Sequence, residues 1–475
     1  MNGKLKKLLS DTGLFAISSF GSKILIFLLT PLYTSVLLTR EYGIADLIST
    51  TVSFVYPVLT LAIADAVLRF SLEKETDKKT ILNTSLFFCV ISSLALFLLF
   101  PLYSFIDQSL QDYWVFFLAY FFLFNLHNCL SNFLKGLGKT KLFAIQGIIN
   151  TITIISCNIL FLLVFKWGLV GYLLSILIGF SIPIVMMFVF GKIGSYFSIT
   201  HMDKNLIREM LKYSLPMIPT LLAWAINTSI DKYMIIKMIS LGESGIYSVA
   251  HKIPTIFTAI ISIFIQAWQL SAISSHGDKN EGPFFTKVYN CMDFVSVIGC
   301  LLIICLSKFL SSFLFANEYY VAWRSVPMLV ISAMFASHAG FLAAAFRAEK
   351  KTTSLLVSVI VGAVINIVLN LIFISNYGII GASIATAVSF FVVWLIRIFL
   401  IQRIVKVKIS IPLTAITYSL FFFTAFITII DYKCSWVISV AVCVIVCLIN
   451  VKNIKQIINL FSNALTKKQK TSIDE

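Results

Sequence analysis

Apolar residues run along this chain in blocks of about twenty to thirty, without the strict alternation that marks a half-buried strand. A helix rises about 1.5 Å per residue, so about 20 apolar residues cross the roughly 30 Å hydrocarbon layer of a bilayer. Cut at charge clusters and at Gly or Pro turns, the pattern predicts fourteen spans. They lie at about 11–38, 42–70, 80–105, 113–134, 141–165, 168–191, 211–239, 244–272, 286–307, 319–346, 352–374, 378–401, 411–430 and 433–450. The expected fold class is an all-α integral membrane protein. The first block is too long for the core of a signal peptide and has no convincing small-residue cleavage site, so it reads as a retained helix.

Composition narrows the function classes. Of 475 residues 59% are hydrophobic and only 12% charged, about half the charged share of a soluble domain. An ordinary soluble enzyme is excluded, because no sizeable soluble domain fits between the spans. The net charge of +16 would suggest nucleic acid in a soluble chain, but its location points elsewhere. With the N-terminus inside, most loop Lys and Arg residues fall in the inner loops, and the outer loops hold only Arg40, Lys166, Lys237, Lys308 and Lys433. That bias sets orientation in membrane proteins. It predicts an even number of spans with both termini cytoplasmic, and no nucleic-acid partner. The nine Cys lie mostly in apolar runs with no CxxC or Cys/His cluster, and read as small apolar residues; no metal site is expected.

The chain resembles itself at an offset of about 202 to 212 residues. Glu41-Tyr42-Gly43-Ile44 matches Glu243-Ser244-Gly245-Ile246. Leu134-Lys135-Gly136 with Lys139-Thr140 matches Phe346-Arg347-Ala348 with Lys351-Thr352. Trp167-Gly168-Leu169-Val170-Gly171 matches Tyr377-Gly378-Ile379-Ile380-Gly381. Three pairs in one order imply two six-helix halves in parallel repeat. The expected division is an N-lobe over 1–191, a cytoplasmic linker over 192–210, a C-lobe over 211–404, two further helices over 405–451 and a basic cytoplasmic tail over 452–475.

Gly136-Leu137-Gly138-Lys139-Thr140 imitates part of a phosphate loop, but Phe133 stands where the first glycine belongs and a membrane helix precedes it in place of a strand. Charges inside spans are more informative. An ionisable group at the bilayer centre costs about 2.5–3.5 kcal/mol on insertion scales, so it faces a cavity or a partner. Lys23 and Lys252, the latter between His251 and Pro254, are the deepest cations and the leading candidates for a cavity-facing role. Asp231 and Lys232 are adjacent and point about 100° apart on a helix, so they cannot simply neutralise each other. Asp65 and Arg69 are spaced for a local i,i+4 pair. Arg324 is close enough to the outer surface to snorkel, Asp46 and Asp293 rank lower near span ends, and His127 and His338 read as polar residues bonded to neighbouring helices.

Taken together, Pro31-Leu32-Tyr33 to Tyr42-Gly43-Ile44-Ala45-Asp46, the run Asp65-Ala66-Val67-Leu68-Arg69-Phe70, and Asn227 to Asp231-Lys232 followed by Gly245-Ile246-Tyr247-Ser248-Val249-Ala250 resemble the bacterial polysaccharide repeat-unit (Wzx-type) flippases. These are oligosaccharidyl-lipid transporters of the multidrug/oligosaccharidyl-lipid/polysaccharide exporter superfamily. The resemblance spans essentially the whole chain and implies a MATE-like V of two six-helix lobes plus two helices, around a central cavity that is often cationic. It implies a substrate of oligosaccharide joined through pyrophosphate to undecaprenol, moved from the inner to the outer leaflet of the bacterial cytoplasmic membrane for capsule, O-antigen or exopolysaccharide assembly. It also implies membrane lipids, a polysaccharide polymerase and chain-length proteins as partners. Ser22-Lys23-Ile24-Leu25 looks like the basic position early in helix 1 of the related lipid II flippases, and Lys252 falls where those carry a cavity arginine. Leu28-Leu29 stands where they have a second basic residue.

A pyrophosphate entering a low-dielectric cavity needs compensating cations. The expected substrate-binding set is Lys23, Lys252, His251, Lys232 and Arg69, with Asp65, Asp231 and Asp293 as candidate carriers of a coupling ion. A H⁺ or Na⁺ gradient and downhill flipping are both compatible, and no cofactor or catalytic residue is expected. The rivals are a cation antiporter of the same superfamily, which would carry a carboxylate-dominated cavity, and a membrane glycan polymerase or ligase, which would carry a larger outward loop.

Overall fold

The computed structural model of the chain describes residues 21, 24–25, 27–73, 76–198, 203–274, 281–349, 352–407 and 410–451. Among the described residues every regular element is helical. The helices that matter here are α1 (Thr30–Val36), α2 (Thr39–Leu59), α3 (Ile63–Leu72), α4 (Lys78–Leu98), α5 (Trp114–Gly136), α6 (Thr140–Asn158), α7 (Gly168–Phe190), α8 (Lys204–Ser214), α9 (Ile218–Met238), α10 (Leu241–Ala250), α11 (Lys252–Ser274), α12 (Glu281–Cys305), α13 (Ser307–Leu314), α14 (Val326–Ala348), α15 (Thr352–Ile401), α16 (Ile411–Ile429) and α17 (Ser435–Ile449). Ten segments among the described residues are long and apolar enough to cross a bilayer. The chain is a multi-pass membrane protein of the all-α class.

Several apolar blocks are broken helices, each with a local cause. The block at 42–70 divides into α2 and α3 where Leu61 and Ala62, just beyond Pro57, turn left-handed at φ 54° and 51°. The turn closes with Ala62 N donating to the Pro57 carbonyl at 3.0 Å. In α3 the acidic Asp65 falls in the first turn and the basic Arg69 in the last, each at the favourable end of the helix dipole. Pro216 and Pro219 interrupt the chain between α8 and α9. Residues 192–210, expected as a connecting loop, contain the start of α8, capped by Asp203 accepting from Asn205 N at 2.8 Å. The block at 244–272 breaks at His251, so that Lys252 opens a new helix.

Glycines of the internal repeat have matching structural duties. Gly168 and its counterpart Gly378 both take left-handed φ, 51° and 59°, a conformation that glycine adopts without steric cost. Gly378 thereby breaks α15 into two helices. Gly43 and its counterpart Gly245 let α2 and α10 touch: a Cβ at Gly43 would stand 2.2 Å from the Leu241 carbonyl oxygen, and one at Gly245 2.1 Å from the Thr39 carbonyl oxygen. At an offset of 202, residue 39 corresponds to 241 and 43 to 245. The two contacts are therefore mirror copies of each other, as in a two-fold interface.

The described residues pack as two units. The first takes residues up to 252 with 314–320 and 363–382, and its buried apolar residues group around Ile63, Val67, Phe133 and Met187, and around Ile44, Ile48, Phe117 and Phe121. The second takes 253–313, 321–362 and the chain from 383. There Phe335 sits among Phe391, Trp394, Tyr418 and Phe422, with ring centroids 5.0 to 6.1 Å away. Lipid tails are as apolar as these side chains, so close packing and interhelical hydrogen bonds hold such bundles together.

Candidate functional site

The first unit gathers four of its span charges where α2, α9 and α10 meet. Asp46 is the hub. Lys232 Nζ lies 3.0 and 2.9 Å from its two carboxylate oxygens, Ser248 Oγ donates at 2.6 Å and Thr50 Oγ1 at 3.4 Å. The Lys232 and Asp46 side chains are 15% and 16% exposed, so the pair is largely withdrawn from solvent. Asp231, one residue back on α9, is buried and points to α10, where the Tyr247 hydroxyl donates to it. The 100° step between adjacent helical residues thus sends the cation to α2 and the carboxylate to α10. Tyr233 continues the seam, donating to Thr51 Oγ1 at 2.9 Å.

Lys252, at the break after α10, places its ammonium 5.9 Å from the ring centroid of Tyr42, within reach of a cation–π interaction. His251 packs edge-on to Tyr247 at 4.8 Å, and its buried Nε2 has no hydrogen-bond partner among the described residues. Tyr42 belongs to a tyrosine cluster with Tyr33, Tyr172 and Tyr319. Tyr33 accepts from Asn158 Nδ2 at 3.1 Å, and Asn158 in turn accepts from Ser175 at 2.9 Å.

The sequence candidates fare differently. Lys23 lies outside the described residues. Lys232, His251, Lys252 and Asp231 fall in one neighbourhood. Arg69 does not form the expected pair with Asp65: its guanidinium lies 3.9 Å from Glu73 and over the Tyr213 ring at 5.2 Å, with the side chain 58% exposed. Glu73 offers the same i,i+4 spacing one turn on, at the more open end of α3. His127 bonds across to Gln146 at 2.6 Å, as expected of a polar residue tied to a neighbouring helix. Asp46, ranked low because it is near a span end, is the hub; its match to Ser248 at the repeat offset was the overlooked signal.

In the second unit Asp293 accepts from Tyr418 at 2.6 Å and faces His338 at 3.1 Å. Arg397, four residues inside the expected 378–401 span, is buried in α15. It donates from Nε to Ser358 Oγ at 2.9 Å and from Nη1 to the Ala339 carbonyl at 2.7 Å. It lies about one turn from the end of that helix.

The phosphate-loop imitation has a structural use. Gly136 packs against Ser71, where a Cβ would come within 2.1 Å of the serine Cβ, and Lys139 Nζ caps the Gly191 carbonyl at 2.7 Å. Among the described residues no group of three His, Cys, Asp or Glu is placed to hold a metal ion. A groove of about 510 Å³ along α4 and α5 is lined by Val90, Leu94, Phe97, Trp114, Leu118 and Phe122, which suits hydrocarbon and not an ionic group.

A family model described as "Polysaccharide biosynthesis protein" matches residues 8–269, more than half of the chain. An uncharacterized membrane protein of Methanocaldococcus jannaschii is 29% identical over 294 residues, which cover 58% of this chain and 67% of that protein. Among solved structures, a lipid II flippase MurJ in an inward closed conformation superposes with a TM-score of 0.67 at 17% identity, over 92% of this chain and 97% of its own. An inward-facing multidrug resistance MATE family transporter of the MOP superfamily does so with a TM-score of 0.66 at 15% identity, over 82% and 98%. At these identities the two structures establish a shared MurJ/MATE-like fold.

Proposed function

Because the chain belongs to the polysaccharide biosynthesis protein family, we propose that it is a flippase, not an enzyme, which carries undecaprenyl-pyrophosphate-linked oligosaccharide repeat units from the inner to the outer leaflet of the bacterial cytoplasmic membrane. The observation that carries this reading is the family match over residues 8–269 on a fold shared with a lipid II flippase. Both termini lie in the cytoplasm, on the strength of the Lys and Arg bias across the loops. The product feeds assembly of capsule, O-antigen or another exopolysaccharide, and a polymerase and chain-length proteins act after it.

Lys252 and Lys23 are the cations assigned to the pyrophosphate, with His251 adjacent to Lys252 in the sequence. Lys232 has a different part: with its ammonium engaged by Asp46, it sets the geometry of the α2–α9–α10 junction. Alternating access then moves the head group while the lipid tail stays in the bilayer.

Depletion of the protein tests the reading. Complete lipid-linked oligosaccharide should accumulate on the inner leaflet, protected from an impermeant glycan-modifying enzyme added outside, and Lys23→Gln with Lys252→Gln should reproduce the block at normal protein level. Lipid-linked intermediates reaching the outer leaflet normally would overturn it in favour of small-molecule export.

A further inference from the structure

The second unit contains a polar chain that anion binding does not use. The Met334 carbonyl can only accept a hydrogen bond, and it lies 2.7 Å from His338 Nδ1, so Nδ1 carries a proton. In the neutral ring Nε2 is then an acceptor. His338 is fully buried, and its Nε2 lies 3.1 Å from Asp293 Oδ1 without a regular hydrogen bond to any described residue. A ring lone pair and a carboxylate at that distance repel. One added proton turns the contact into an attraction, whether it sits on the ring or on the acid.

The surroundings are arranged to feed hydrogen bonds toward this point. The Tyr418 hydroxyl donates to Asp293 Oδ1 at 2.6 Å. The Tyr289 ring packs 5.9 Å from the His338 ring. Tyr289 in turn accepts from Trp394 Nε1 at 2.9 Å. On α15 the cation next to the site is Arg397, bonded to the carbonyl of Ala339, the residue after His338. Phe335 and Phe341 close the site with rings, backed by Trp268 of α11, and α17, which packs on α12, carries no charged residue.

We propose that Asp293 and His338 form a buried proton-binding site that takes one proton from water at the Nε2–Oδ1 contact, and that its loading is linked to transport. Loading draws α12 and α14 together through an ion-paired contact, and unloading leaves Asp293 held by Tyr418 alone. The site stands on its own geometry; the link to transport rests on the flippase reading.

The test has two arms. Full-length protein labelled with ¹⁵N-histidine, in lipid nanodiscs, is followed by NMR between about pH 5 and pH 9, the range in which histidines exchange charge. Loss of one signal in His338→Gln assigns it among the five histidines. The His338 ring should pass between its singly and doubly protonated forms. Asp293→Asn, whose amide can donate to Nε2, should hold it singly protonated, and Asp293→Glu should restore the change. A wild-type ring fixed in one form, or an unaltered titration in Asp293→Asn, would overturn the site. In the second arm, flipping of undecaprenyl-pyrophosphate-linked oligosaccharide in proteoliposomes under an imposed pH difference should fall at least tenfold in Asp293→Asn and recover in Asp293→Glu. Flipping unchanged in Asp293→Asn would overturn the link to transport. Wild-type protein that never flips this lipid while the ring titrates would remove the flippase reading and leave the proton site standing.

Discussion

The two units hold their central charges differently. In the first, the central carboxylate Asp46 holds the Lys232 ammonium and the Ser248 hydroxyl. In the second, the ionic groups rely on neutral partners, Tyr418 for Asp293 and Ser358 with a backbone carbonyl for Arg397. A compensated pair fixes a geometry, and its two charges must be removed together if strain is to be avoided. A charge held by neutral dipoles leaves its net charge open to change by a proton or an ion. The first arrangement suits a joint and the second a sensor.

The sharpest way to break this contrast is to strip one partner from the compensated pair. Asp46→Ala leaves Lys232 largely buried without its carboxylate and should cost about 3 kcal/mol, at the lower end for such pairs because both side chains keep some solvent contact. Lys232→Met combined with Asp46→Ala should recover much of that loss in thermal unfolding of the detergent-solubilised protein. Equal losses in the single and double variants would mean that the pair does not act as a unit. Next in size, Gly43→Val and Gly245→Val should each cost about 1–3 kcal/mol through overpacking, because the obstructing atoms are backbone carbonyls of the facing helix. The two should resemble each other closely, since the contacts are copies.

In the second unit, Arg397→Leu strips donors from the buried Ser358 hydroxyl and Ala339 carbonyl and should cost about 1–3 kcal/mol; Arg397→Lys should fall between it and the wild type, because an ammonium cannot reproduce the fork. A loss as large as that of Asp46→Ala would erase the distinction between the units. The smallest effect belongs to Lys308 and Asp431, a partly exposed ion pair of the second unit. Lys308→Ala should change stability by less than about 1 kcal/mol and cease to matter in high salt.

Much of this was legible in the sequence, because a bilayer demands long apolar helices and the repeat glycines mark where helices touch or break. The breaks at Ala62 and His251 were not legible: an apolar block continues through both, and only the route of the chain reveals the turn. Site partners were harder still. Lys232 was visible as a costly charge, but its partner lies 186 residues away, and Asp46 looked ordinary near a span end. Arg69 showed the weakness of spacing arguments, since both Asp65 and Glu73 satisfy them and only exposure separates the two.

The repeat offset of 202 limits which residues this position can carry. Asp46 and Ser248 are the same position in the two copies, and they touch each other at 2.6 Å. A residue on such an axis meets its own twin, so a perfectly duplicated chain would bring two aspartates into contact, each denying the other its charge. An acidic hub at this position therefore requires the two copies to differ. Lys232 meets the carboxylate of one copy while the other copy offers only a hydroxyl, so the junction is polar by virtue of that difference.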